Sequence, residues 1–327
     1  MKRIILSIKN KLCKYLYMDT LIHIIGGFFV KCFPGHNFTP SAGGSTNDAL
    51  YCYGVWMRHL VLSYKANSCR IPKTVAELGP GMSIGCGLAA LLCGAERYIG
   101  LDVVEYSDLS EQAKILDELV MLFKSHADIP EGNISPKLKD YSFPSEILTD
   151  ELLRKNLTDE RINKIRCELN EKDSSKRQMI RYIAPWEHAE IKNLPSCDFV
   201  FSQAVLEHID GLNNAYSFMS NLLKSGSLMS HQIDFRCHSQ SPYWNRHWGY
   251  SDFSWKLIRA TKLFLINRQP CSTHLDLMRK NGFCVLIEDR RITSGSSLKR
   301  KQLSRRFSKI SDDDFKTSGA YILAKKL

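Results

Sequence analysis

Residues Thr74 to Ala95 read T-V-A-E-L-G-P-G-M-S-I-G-C-G-L-A-A-L-L-C-G-A. Thr74-Val75-Ala76-Glu77-Leu78 predicts a short buried strand that ends in a carboxylate. Gly79-Pro80-Gly81 predicts a tight turn, because glycine adopts dihedrals closed to other residues and leaves no Cβ between backbone and ligand. Ile84 to Ala95, built of Ala, Gly, Cys and Leu, predicts a helix with a small-residue face that sits close on a sheet. Strand, glycine turn and helix in this order bind a nucleotide-like ligand at the carboxyl edge of a parallel sheet.

The residues inside the turn narrow the ligand. A dinucleotide site has the pattern G-x-G-x-x-G, with the pyrophosphate on the helix N-terminus. Here Ile84 stands where the third glycine would be, and Glu77 would repel a pyrophosphate. A carboxylate at that point suits a cationic ligand such as S-adenosylmethionine (SAM), which carries an ammonium and a sulfonium. The segment E-L-G-P-G-M-S resembles the E/D-x-G-x-G-x-G signature of class I SAM-dependent methyltransferases, with Ser83 in place of the last glycine. Arg97 to Asp102 predicts the next strand, ending in an acid about twenty residues beyond the turn, where a carboxylate accepts both ribose hydroxyls.

Composition sets wider bounds. The 327 residues, 44% of them hydrophobic, are enough for one large α/β domain with additions or two small ones. A net charge of +11 favours acidic partners such as nucleotide sugars, phosphates, nucleic acid or anionic lipid. The eleven cysteines are scattered and contain no C-x-x-C pair, so we expect reduced thiols in a cytoplasmic protein, with no disulfide framework and no metal site. Residues 1–46 form a basic N-terminal segment whose apolar run, Leu21 to Val30, is too short to span a membrane. It is expected to pack on the domain or a partner, or to rest on the inner face of a membrane. Residues 47–327 form the main domain, entered by a helix over Asn47 to Asn67 with apolar residues at helical spacing.

Beyond Asp102, Ser107 to Lys124 reads as a helix, and residues 125–178 as an insertion with helices over Ser145 to Asn156 and Thr158 to Glu171. Met179 to Ala184 predicts the third strand. Asp198 to Gln203 predicts the fourth, followed by A-V-L-E-H-I. A fifth strand over Ser227 to Phe235 delivers His231, Asp234, Arg236 and His238 to the carboxyl edge. Then come Tyr243, Trp244, Trp248, Tyr250 and Trp255, which suit a stacked sugar or a packed connector. Two further strands, over Gly282 to Glu288 and Ser318 to Lys325, flank a basic loop from Arg290 to Lys309, read as a flexible surface loop or a phosphate or membrane contact.

Thr74 to Lys325 together resembles the Rossmann-like, seven-stranded SAM methyltransferase fold, a mostly parallel sheet with helices on both faces. Within it, D-F-V-F-S-Q-A-V-L-E-H-I resembles the fourth-strand region of small-molecule (type 11-like) members. I-D-F-R-C-H and W-G-Y-S-D-F-S-W resemble methyltransferases of bacterial polysaccharide biosynthesis, with Cys237 in place of an acid. The resemblance implies SAM as cofactor and O-methylation of a sugar, nucleotide-sugar or glycan acceptor. Glu77, Gly79, Pro80 and Gly81 would hold the methionyl end and Asp102 the ribose. Glu187 would hold the adenine, beside Trp186, and Ser202 and Gln203 would line the methyl-transfer gap. His238 is the first candidate base and His231 the second, with Asp234 orienting or substituting; His208 is read as structural. An RNA or protein methyltransferase and a non-catalytic SAM-fold scaffold are the rival readings. Nucleic acid is the lesser partner, since Ser202-Gln203-Ala204-Val205 replaces the N/D-P-P-Y/F tetrapeptide of nucleic-acid amino methyltransferases.

Overall fold

The computed structural model describes residues 16–32, 45–66, 70–186, 193–238, 241–262, 264–293 and 295–327. The predicted first strand is β1 (Thr74–Leu78), buried along its whole length as a central strand must be when both faces are covered. It pairs in parallel with β2 (Arg97–Leu101) on one side and β4 (Cys197–Gln203) on the other. β3 (Ile180–Ile183) joins β2, and β5 (Leu223–Asp234) joins β4, also in parallel. β6 (Phe283–Ile292) lies at the far edge, and β7 (Thr317–Lys326) inserts antiparallel between β5 and β6. The order β3-β2-β1-β4-β5-β7-β6 is the Rossmann-like seven-stranded SAM methyltransferase arrangement.

Strand alternation divides the interior into two layers. Val75, Tyr98, Phe199 and Phe201 face α2 (Ala49–Ala66), α3 (Gly85–Leu92) and α4 (Ala113–Lys124). Ala76, Ile99, Val200 and Met229 face α7 (Leu212–Leu222) and α9 (Cys271–Lys280). The small residues of α3 are required by contact. A Cβ on Gly85 would lie 2.5 Å from Cys52 Sγ, and one on Gly87 would lie 2.2 Å from the Tyr98 ring.

The insertion carries two short helices, α5 (Asp150–Asn156) and α6 (Asp159–Asn170). Thr149 and Thr158 cap them by accepting the Leu152 and Arg161 amides. Arg58 anchors the insertion's start. Its enclosed guanidinium donates to the carbonyls of Gly54, Pro130, Glu131 and Pro136, so backbone oxygens take the place of a carboxylate partner.

The N-terminal helix α1 (Leu16–Cys32) packs against α8 (Asp252–Arg259). Contact is close enough that a Cβ on Gly27 would lie 2.1 Å from the Leu257 carbonyl. Asp19, fully buried, accepts from Arg246 Nε (2.5 Å) and the Tyr250 hydroxyl (2.7 Å). Trp248, Tyr250 and Trp255 are therefore packing residues, and the connector alternative holds for them. The basic loop is also tied down. Arg290 pairs with Glu288 and Asp314, Arg300 with Asp312 and Arg306 with Asp252, while Leu298 and Phe307 are buried. Among the described residues, no helix is long and apolar enough to cross a membrane.

Candidate active site

The glycine turn and the tip of β2 are built as one unit. Gly79 and Gly81 both have positive φ, +65° and +71°, which only glycine adopts without strain. The Gly79 amide donates to the Leu101 carbonyl at 2.8 Å. The Gly81 amide donates to Asp102 Oδ2 at 2.9 Å, and the Val103 amide to Oδ1 at 2.8 Å. Asp102 is only 5% exposed, and burial raises its pKa against those backbone hydrogen bonds. Each of its oxygens keeps acceptor capacity, since an ionised carboxylate offers about four lone-pair sites.

Glu77 lies beneath the turn. Its Oε2 accepts from the Tyr98 hydroxyl at 2.6 Å, and Tyr98 fits there because residue 87 is glycine. Burial pushes the Glu77 pKa up to about 8; the Tyr98 hydrogen bond opposes this and the Asp102 charge adds to it. Ser83 has a definite role in place of glycine. Its hydroxyl donates to Gln112 Oε1 (2.7 Å) and accepts the Gly85 amide (3.0 Å), opening α3. Sequence reading missed Thr46. Its Oγ1 is buried and unpartnered among the described residues, 3.7 Å from where a Gly81 Cβ would stand. An orphaned hydroxyl beside a carboxyl-lined, Cβ-free turn fits the amino-acid end of SAM.

The tips of β4 and β5 form the second half of the site. Ala204 and His238, just past those tips, both have left-handed backbone, φ +55° and +48°. The His208 and His238 rings lie 5.0 Å apart, and one ligand atom each from Glu207, His208 and His238 falls within 4.8 Å of the others. Partial desolvation of its ring depresses the His238 pKa, with Asp234 opposing and Arg236 adding, although the residue as a whole is exposed. Burial and the His238 charge bring His208 down to about 4. Glu207 is almost fully enclosed, and burial raises its pKa.

Other sequence candidates fall elsewhere. His231 is fully buried on the α7 and α9 side of the sheet, where its Nδ1 meets Ser202 Oγ at 2.8 Å. Burial brings its pKa down to about 3. The alternation of β5 turns this ring inward, so it does not reach an acceptor, and Ser202 for the same reason lines no pocket. Gln203 donates to the Ser135 carbonyl at 2.9 Å and meets His59 Nε2 at 3.3 Å, so it ties the β4 tip to the insertion. Asp234 is gripped by Arg236 and paired with Arg291 at 3.3 Å. Burial raises its pKa, but the Arg236 contacts outweigh that and hold it below the ordinary value, so it is a poor proton acceptor. Trp186 packs on Phe218, ring centroids 5.0 Å apart, and its amide donates to the Asp102 carbonyl. Glu187 lies outside the described residues.

No protein-family model matches this chain, and no curated protein matches it. Solved structures similar to it include a SAM-dependent methyltransferase from Mesorhizobium loti, 12% identical, covering 85% of this chain and 100% of that one, TM-score 0.42. A phosphoethanolamine N-methyltransferase 2 from Haemonchus contortus in complex with SAM is 12% identical, covering 93% and 57%, TM-score 0.40. The N-methyltransferase NodS from Bradyrhizobium japonicum is 11% identical, covering 84% and 96%, TM-score 0.37.

Proposed function

We propose that this protein is a SAM-dependent methyltransferase acting on a hydroxyl of a sugar, nucleotide sugar or glycan. The observation that carries the cofactor assignment is the Gly81-to-Asp102 hydrogen bond, which joins the glycine turn to the acidic tip of the neighbouring strand. When bound, SAM supplies a methyl group made electrophilic by its sulfonium. Asp102 would hold the ribose, and Glu77, Thr46 and the glycine turn the amino-acid end. The edge formed by Glu207, His208 and His238 faces the acceptor. A hydroxyl must lose a proton to act as nucleophile, and His238, the exposed ring of the pair, would take it.

The test is calorimetry with S-adenosylhomocysteine, followed by transfer of labelled methyl from SAM to a panel of nucleotide sugars, glycans and RNA. Label on the sugar acceptors is expected. Label confined to RNA, or binding with no acceptor at all, would select a rival reading. His238→Ala should lower turnover by about a hundredfold or more while leaving S-adenosylhomocysteine affinity unchanged.

Glu77 makes the binding pH-dependent. With its pKa near 8, it is mostly protonated at neutral pH. An ammonium beside it favours the carboxylate, so binding should release close to one proton below that pH. Affinity should rise with pH and level off above about 8. Heats measured in two buffers of different ionisation enthalpy check this, and buffer-independent heats would remove Glu77 from the ammonium contact.

The membrane expectation also becomes a proposal. Met18, Leu21, Ile25, Phe28 and Phe29 are all exposed. At about 100° per residue they share one side of α1, within an arc of roughly 100°, opposite the buried Asp19, His23 and Gly27. With Phe253 and Leu257 of α8, they make up seven of the fourteen exposed large hydrophobics among the described residues, a concentration that marks an interaction face. We propose that this face rests on an anionic membrane surface. Ile25→Asp with Phe28→Asp should weaken co-sedimentation with phosphatidylglycerol vesicles by about tenfold or more. Equal partitioning of the parent and variant would count against it.

A further inference from the structure

We propose that Glu207, His208 and His238 form a binding site for a divalent first-row transition ion, such as Zn²⁺, Mn²⁺ or Co²⁺, just past the tips of β4 and β5. The cysteine spacing gave no hint of it, because the ligands come from two loops that only the sheet brings together. The donor set is two imidazoles and one carboxylate, the combination that holds catalytic zinc and non-haem iron while leaving positions open.

Two buried atoms point to a ligand there. Glu207 is 2% exposed, and its Oε1 accepts the Asp234 amide at 3.3 Å. Its Oε2 has no partner among the described residues. His208 Nδ1 is likewise buried and has no partner among the described residues. The candidate ligand atoms span 4.8 Å, against about 3–3.5 Å between ligands around an ion at ordinary bond lengths. Coordination therefore requires the ligands to draw closer than this, and His238 is the exposed member of the three.

The neighbouring charges select the kind of ion. Asp234 lies close, but Arg236 and Arg291 occupy its oxygens, so the surroundings are not strongly anionic. An ion bound through imidazole nitrogens tolerates this better than Mg²⁺ or Ca²⁺, which need several anionic or carbonyl oxygens. On the methyltransferase reading, His238 would then serve as a ligand in place of the base: the open positions would take an acceptor oxygen and lower its hydroxyl pKa, the proton leaving to water. Cation binding itself does not depend on that reading.

The experiment titrates chelator-treated full-length protein with Co²⁺ and follows the visible d–d absorption, with Zn²⁺ calorimetry in parallel. One equivalent should bind without thiolate-to-cobalt charge transfer. Both Glu207→Gln and His238→Ala should weaken it by at least about tenfold. Because His238 is exposed, its variant decides the matter even if the buried Glu207→Gln fails to fold. No stoichiometric binding, binding unchanged in the His238 variant, or a thiolate charge-transfer band would overturn the proposal. S-adenosylhomocysteine is absent from the titration, so this failure and a failure of the cofactor reading are separately visible.

Discussion

Asp102→Ala is expected to lower the affinity for S-adenosylhomocysteine by about a hundredfold or more, the largest effect on binding of any single substitution. Hydrogen bonds to a charged group contribute about 1.5–3 kcal/mol each, and the ribose would make two. At about 1.4 kcal/mol per tenfold, two such bonds account for at least that loss. The substitution also strips the Gly81 and Val103 amides of their acceptor, so the turn loses the contact that shapes it. Asp102→Asn keeps an acceptor oxygen and should fall between the two. Calorimetry on folded variants decides, and parent-like affinity in Asp102→Ala would remove the ribose role.

Asp19→Ala is expected to give the largest loss of stability. Arg246 is 3% exposed, and removing one member of a buried pair costs about 3–5 kcal/mol because the other charge is left without its partner. The loss should appear first as release of α1 from α8, read as faster protease cleavage near residue 32 and then as a lowered melting temperature. Acid should do the same to the parent. Burial acts to raise the Asp19 pKa, but hydrogen bonds from His23 and Tyr250 and the Arg246 charge outweigh it and leave it depressed. The pair's contribution is therefore present above the unfolded value of 3.8 and is lost as pH falls through the lower folded value. A variant as protease-resistant as the parent would show that α1 is held by packing alone.

The motif around Thr74 was readable because its chemistry is local. A strand, a turn that needs positive φ and a small-residue helix follow one another without interruption, and the structure reproduces all three. The β4 tip was read less well. Alternation shows that Ser202 and Gln203 occupy opposite faces, yet not that one face is closed by α7 and α9 and the other by the insertion. His231 illustrates the same limit. Its place in a strand says that it lies near the edge, while its burial depends on α7 and α9 packing on that face of the sheet. Trp248, Tyr250 and Trp255 invited a sugar-stacking role, but Trp248 packs among Trp244, His247 and Phe307, while the helix over Leu16–Cys32, more than two hundred residues away, packs on the cluster that holds Tyr250 and Trp255.

Residue order thus specified the sheet's first turn, its acidic tips and the class of cofactor they suit, since each depends on neighbours within a few positions. Tertiary packing alone decided which histidine meets solvent, where Glu207 finds His208 and His238, and which carboxylate holds the N-terminal helix. Those outcomes depend on distances between segments far apart in the chain, and on burial, which sets the charge state of every group that would handle a proton.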